Sequence, residues 1–175
     1  ACFTAYKNLV DAENSLEETT APSGFAVTGK VLALANTSGK LAGDKFTVIG
    51  CNVIINGETV ATTGQDGTFT IPSLAAGKYT ATLSYQYGYD RNITIEVKDG
   101  NVNLGSYGMV VCNFKKDAAI NGTDYNTYKK STGKSKGSAS YNEACDFNHD
   151  GAVNGTDYNI YKAFTGKTLS NAIYG

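Results

Sequence analysis

"CDFNHDGAVNGTDYNIYKAFTGK" runs from Cys145 to Lys167, and "CNFKKDAAINGTDYNTYKKSTGK" runs from Cys112 to Lys134. The two align without a gap and agree at 15 of 23 positions. In the second copy, counted from Asp146 as position 1, Asn148 is position 3, Asp150 is 5, Gly151 is 6, Ala152 is 7, Asn154 is 9 and Asp157 is 12. Oxygen-bearing side chains therefore recur at alternate places on the first half of a loop, around a glycine that permits a sharp turn.

A calcium ion takes about six to eight hard oxygen ligands at ~2.3–2.6 Å, and a twelve-residue loop of this pattern supplies them. Position 7 gives a backbone carbonyl, so its side chain is unconstrained. The ligand at position 12 reaches back from the start of a helix, where negative charge is also favoured. The expected metal ligands are Asp146, Asn148, Asp150, the Ala152 carbonyl and Asp157, with Asp157 giving both oxygens. In the first copy position 1 is Asn113, position 3 is Lys115 and position 6 is Ala118. Asn113, Asp117, the Ala119 carbonyl and Asp124 remain as a degenerate set. Affinity follows ligand charge, so this loop is expected to be weak or empty. Lys115 is expected to stand in for the ion, paired with Asp117 or Asp124.

Upstream, from Phe25 to about Val111, the hydrophobic period is two. Phe25, Val27, Val31 and Ala33 alternate, as do Ile49, Cys51, Val53 and Ile55, then Phe69 and Ile71, then Tyr79, Ala81, Leu83 and Tyr85, then Ile93, Ile95 and Val97. Turn dipeptides separate them: Asn56-Gly57, Asp66-Gly67 and Asp99-Gly100. Short, regularly spaced, half-buried strands predict an antiparallel β-sandwich, with Asp66-Gly67 as a hairpin turn. Residues 1–24 are expected to be a short helix or linker, with "APSG" (21–24) as a break.

Composition excludes several classes. The 15 basic and 16 acidic residues balance, which gives no basic footprint for nucleic acid. No apolar run approaches the ~20 residues that cross a bilayer. Four cysteines in 175 residues are too few for a disulfide scaffold. Cys51 is expected on the inward face of a strand, and Cys112 and Cys145, at equivalent places in the two repeats, leave a bond between them open. The only methionine is Met109 and the chain begins at Ala1, as a processed segment would. No catalytic constellation appears. The single histidine, His149, has no nucleophilic partner, and its loop position points away from an ion, so it reads as exposed filler.

Two resemblances add to this reading. "DGTFTIPSLAAGKY", Asp66 to Tyr79, resembles the Ig-like, transthyretin-type domains related to the carboxypeptidase regulatory domain, over roughly residues 25–111. The paired loop-helix repeat, with Asp rather than Glu at position 12 and no full helix before the loop, resembles the dockerin module of cellulosomes, over roughly residues 111–175. A sandwich just upstream resembles the X-modules that accompany some dockerins. The implied architecture is an all-β Ig-like sandwich (25–110) followed by a small all-α dockerin (111–175) with paired F-hand, EF-hand-like loops. The implied function is non-catalytic, calcium-dependent docking of a cohesin on a scaffoldin or cell-surface anchoring protein. The sandwich would be spacer or stabiliser, in a secreted, cell-surface complex that degrades polysaccharide. Family recognition positions map to Gly122, Thr123, Lys129, Lys130 and Lys134 in the first copy, and to Gly155, Thr156, Lys162, Ala163 and Lys167 in the second. The family also implies helices related by a pseudo-twofold axis, with the loops at opposite ends, which argues against a Cys112–Cys145 bond. Two other readings stay open: carbohydrate binding by a platform of Tyr85, Tyr87 and Tyr89, and a calcium-stabilised adhesin fragment.

Overall fold

The structure is a computed structural model that describes residues 24–168 and Tyr174. The expected helix or linker over 1–24 lies outside the described residues except for Gly24.

Seven strands form two sheets. They are β1 (Phe25–Ala33), β2 (Asn52–Ile55), β3 (Glu58–Thr62), β4 (Thr68–Leu74), β5 (Gly77–Ser84), β6 (Arg91–Val97) and β7 (Val102–Met109). One sheet has the order β4-β1-β7 and the other β3-β2-β5-β6. Val27, Val31, Val53, Phe69, Ile71, Ala81, Leu83, Ile93, Ile95 and Val97 fill the space between them, as the alternation requires.

Three details depart from the sequence reading. First, the sandwich is not purely antiparallel, because β1 runs parallel to β7, from Val27 opposite Val102 to Ala33 opposite Met109. Second, Asp66-Gly67 is not a hairpin turn. It carries the chain from β3, at the edge of one sheet, to β4 in the other. The Asp66 carboxylate accepts the Thr68 N–H at 3.0 Å and its hydroxyl at 2.7 Å, while the Gly67 carbonyl accepts the Val31 N–H. Third, Val48 is in the core and Ile49 is only partly buried. Gly50 sits between Ile49 and Cys51 at φ 74°, a left-handed residue that ends the strand register before β2 starts. Cys51 is fully buried, as expected.

Beyond β7 come two helices, α1 (Gly122–Ser131) and α2 (Gly155–Phe164), and a single 3-10 turn at Glu143–Cys145. The turn explains why "SYNEAC" makes no full helix before the second loop. Each helix stops at the repeated Thr-Gly, with Gly133 at φ 72° and Gly166 at φ 77°.

The buried residues of the sandwich and of the helical unit form one continuous core. Tyr87 lies 5.9 Å, centroid to centroid, from Phe114. Phe114 stacks on Phe147, Phe147 on Tyr128, and Tyr128 on Tyr161. An aromatic column thus runs from the β5–β6 loop through the middle of the helical unit. Tyr174 returns to the sandwich, donating its hydroxyl to the Tyr89 carbonyl at 2.7 Å. The Arg91 guanidinium lies over both the Tyr107 and Tyr174 rings.

Candidate functional site: a paired loop-helix unit

Each helix begins the same way. Asn121 and Asn154 are N-caps, and Asp124 and Asp157 complete capping boxes with their N-cap backbone. This reciprocal arrangement satisfies N–H groups that have no partner inside the helix. The two carboxylates also reach across their loops. Asp124 accepts the Lys115 N–H at 3.1 Å and the Asn121 N–H at 2.9 Å. Asp157 accepts the Phe147 N–H at 2.7 Å and the Asn154 N–H at 2.9 Å. Both side chains are fully buried.

The two units are related by a pseudo-twofold axis, which is visible in reciprocal bonds. Tyr128 donates to the Asn154 carbonyl, and Tyr161 donates to the Asn121 carbonyl, each at 3.0 Å. Ala119 bridges Thr168, and Ala152 bridges Ser135. Each loop is therefore tied to the segment that follows the other helix. The loops do not simply sit at opposite ends, since their position-2 residues, Phe114 and Phe147, stack 6.4 Å apart. Cys112 and Cys145, one residue before each loop, are nevertheless both buried and free. Burial pushes the Cys145 thiol up to about 12, and raises that of Cys112 further.

The second loop concentrates negative charge. Asp146 is buried and accepts the Asp150 N–H at 3.2 Å, the Gly151 N–H at 2.8 Å and the Tyr141 hydroxyl at 2.7 Å. Gly151, at φ 89°, makes the turn. Burial, with Asp146 nearby, raises the pKa of Asp157, against the pull of its N–H donors. Asp150 is exposed and lowered, chiefly by its bond from the Asn148 amide. Among the described residues none of these three carboxylates has an ion-pair partner. Two buried carboxylates held by backbone N–H groups and a tyrosine hydroxyl but without a counter-charge suit a hard cation. Among the described residues no group of three or more Asp, Glu, His or Cys side chains makes a metal site by itself. An ion here would draw on the Asn148 amide and the Ala152 carbonyl as well.

The first loop has a different interior. Asn113 is fully buried; its Nδ2 donates to the Asp117 carbonyl at 2.7 Å, and its Oδ1 accepts the Asp117 N–H at 3.2 Å. The amide closes the loop on itself, with a neutral donor where the second loop has a carboxylate. Ala118 takes a negative φ here, so the turn that Gly151 makes is not repeated. Lys115 is not the stand-in cation. Its backbone N–H, not its ammonium, meets Asp124, and among the described residues its side chain forms no ion pair.

The cation that matters is Lys116, which the sequence reading passed over. Its Nζ reaches the Asp90 carboxylate at 2.6 Å, the Tyr85 carbonyl at 2.7 Å and the Gly88 carbonyl at 2.9 Å, all in the sandwich. His149 is not filler: its Nε2 lies 2.9 Å from the Thr47 carbonyl, which can only accept. The three tyrosines of the carbohydrate reading are also engaged. Tyr89 is buried, with its hydroxyl 3.2 Å from the Ala118 carbonyl and 3.1 Å from the Lys167 carbonyl. Tyr85 and Tyr87 meet edge to face, and Tyr87 turns to Phe114, so they form no flat platform.

The family recognition positions are open. Gly122, Thr123, Lys129, Lys130 and Lys134 are exposed, as are Gly155, Thr156 and Lys162, while Ala163 and Lys167 are half-buried. Among the described residues, no hydrogen bond between the modules uses an α1 or α2 side chain. The sequence reading also missed Tyr125 and Tyr158. They are equivalent in the repeat and are the exposed large hydrophobic residues of the unit, at 36% and 40%. Their identity in both copies was the available signal.

Comparison with known proteins agrees with this arrangement. Residues 114–164 match the dockerin type I domain. Two similar solved structures are interface mutants, one C-terminal and one N-terminal, of a type II cohesin–X-dockerin complex from Acetivibrio cellulolyticus. The first matches with a TM-score of 0.62 at 26% identity, covering 85% of this chain and 99% of that one. The second matches with a TM-score of 0.61 at the same identity and coverage. Among curated proteins no sequence matches the chain. The family match of residues 114–164 is thus to type I, while the two-module structures it resembles come from a type II complex. The C-terminal part of this chain is a dockerin, preceded by an X-module-like sandwich.

Proposed function

We propose that the chain docks a cohesin through the exposed faces of α1 and α2, as a non-catalytic module of an extracellular or cell-surface complex. The observation that carries this is the joint match: sandwich and dockerin together align with 99% of a chain from a cohesin–X-dockerin complex. Thr123 and Thr156 stand at the starts of the two helices, with Lys129, Lys130, Lys134, Lys162 and Lys167 further along. Tyr125 and Tyr158 add aromatic area, the residue type enriched at interface centres. The scaffoldin or anchoring protein that carries the cohesin is expected to present an acidic surface to the lysines. Residues 25–110 act as spacer and stabiliser, and residues 111–175 as the docking unit. No helix among the described residues is long and apolar enough to cross a membrane.

In this reading calcium binds the second loop through Asp146, Asn148, Asp150, the Ala152 carbonyl and Asp157. It supplies the positive charge that the two buried carboxylates lack. The first loop, from Asn113 to Asp124, closes with an amide and binds calcium weakly or not at all.

The test is capture of type I and type II cohesins by the whole chain, in calcium and in chelator. Capture in calcium that is lost in chelator supports the reading; no capture of either type defeats it. Charge reversal divides the surface: Lys129 and Lys130 to Glu in one variant, Lys162 and Lys167 to Glu in another. Unequal losses indicate one dominant orientation. Equal, negligible losses remove the lysines from the interface.

A further inference from the structure

We infer that position 4 of each loop is a latch to the sandwich, and that the degenerate first loop serves the sandwich rather than an ion. Lys116 and His149 are equivalent residues in the repeat. Both are non-glycine residues at positive φ, 53° and 55°, so the two loops make the same left-handed step there. That step is uncommon for a side-chain-bearing residue, and in both loops the side chain reaches across to the sandwich.

The two contacts differ in kind. An ammonium has three donors, and Lys116 places one on each of three sandwich oxygens: the Tyr85 and Gly88 carbonyls and the Asp90 carboxylate. Ser84 donates to the same Asp90 oxygen at 2.8 Å. The cradle is fixed further by the Asn113 N–H, which donates to the Tyr87 carbonyl at 2.8 Å, and by Tyr89 against Ala118. Gly88 is packed so closely that a Cβ there would collide with the Val110 carbonyl. Residues 85–90 of the sandwich are thus shaped around a cation brought by the first loop. His149 makes one bond, to Thr47, in the connection between β1 and β2.

The loops also differ in what holds their shape. The first is closed by the Asn113–Asp117 amide pair and needs no ion to present Lys116. The second makes the corresponding bond from the Asp150 N–H to Asp146, but around buried carboxylates with no counter-charge, and a cation there would hold the loop shut and fix His149. The first latch is therefore permanent and the second conditional on calcium. The conditional part rests on the calcium reading of the second loop. Coupling of this kind is reciprocal, so docking on the sandwich raises the calcium affinity of the second loop by the factor that calcium strengthens docking.

Hydrogen–deuterium exchange of the whole chain, read for residues 44–49 and 85–90 in calcium and in chelator, tests both parts. Lys116→Met should raise exchange over 85–90 by about tenfold or more under either condition, with Asp90→Asn doing the same from the other side of the contact. His149→Ala should raise exchange over 44–49 in calcium. Chelator should do so in the unaltered chain and add nothing in His149→Ala. Unchanged exchange over 85–90 in both Lys116→Met and Asp90→Asn overturns the permanent latch. Calcium binding confirmed by titration, with exchange over 44–49 indifferent to chelator, overturns the conditional one. If titration finds no calcium bound, the calcium reading of the second loop fails and the conditional latch fails with it. The Lys116 and Asp90 variants still decide the first latch.

Discussion

The pseudo-twofold repeat contains its own control for the calcium reading: the pair Asp124→Ala and Asp157→Ala. In each, one buried carboxylate that holds two backbone N–H groups is removed. Loss of the cap interaction costs about 0.5–2 kcal/mol. The loop N–H left behind, that of Lys115 or Phe147, costs about 1–3 kcal/mol if it stays buried without an acceptor. Each variant should therefore lose roughly 1.5–5 kcal/mol in chelator, and the two should agree within about 1 kcal/mol, since their bonds correspond. Asp157→Ala should be the milder there, because it also removes a carboxylate close to Asp146. In calcium the order reverses. An ion at a hundred times its dissociation constant stabilises the native state by about 2.7 kcal/mol, and only Asp157→Ala forfeits that. Urea unfolding of both variants, with and without chelator, measures the gap. A gap that is the same in calcium and in chelator would refute the assignment of Asp157 as a calcium ligand.

Three further outcomes are expected. Titration calorimetry should find one tight calcium per chain, and Asn113→Asp with Lys115→Asn should add a second, because the Nδ2 donor to Asp117 is gone and a carboxylate replaces it; two equally tight ions in the unaltered chain would contradict this. Alkylation at pH 8 should leave Cys51, Cys112 and Cys145 unmodified in the native protein and modify all three after unfolding, since all are buried and the Cys51 and Cys145 thiols are pushed up to about 12; native labelling of any of them, read by peptide mapping, would show that the core opens. Burial raises the Asp157 pKa above its ordinary 3.8, so without calcium its contribution to stability is present below the unfolded value and is lost as pH rises through the folded one. Exposed Asp150 shifts the opposite way. In chelator, acidification into that window should lower the urea midpoint less than it does in calcium, where protons compete with the ion; equal pH profiles would count against a bound cation.

What the sequence disclosed, and what it withheld, follows a physical line. The repeat, the first helical turns at Asp124 and Asp157 and the Thr-Gly stops are local features, and each appears where the letters place it. Alternation located Phe69 and Ile71, Ala81 and Leu83, and Ile93, Ile95 and Val97 on inward faces. Pairing between strands is not local. Nothing in "QDGT" says whether the chain turns back on β3 or crosses to the other sheet, and nothing in β1 says that its neighbour runs parallel. One left-handed glycine, Gly50, moved burial from Ile49 to Val48. The contacts that join the modules were the least legible. Lys116 and His149 reach backbone carbonyls of Tyr85, Gly88 and Thr47, and a carbonyl has no letter of its own. Lys115 and Lys116 are adjacent identical residues, and the backbone step at 116 decides which ammonium meets the sandwich.

The parallel pairing of β1 with β7 decides how the chain answers to pulling. β7 leads directly through Val110 and Val111 into the dockerin, while the chain enters β1 at Phe25, at the opposite end of the parallel pair. Tension between a docked partner and whatever precedes Phe25 would draw the two strands lengthwise in opposite directions. The bonds from Val27 opposite Val102 to Ala33 opposite Met109 would then be strained together rather than broken one at a time from an end, as they would be in an antiparallel pair peeled apart. Under such tension the load would fall along the whole β1–β7 seam at once.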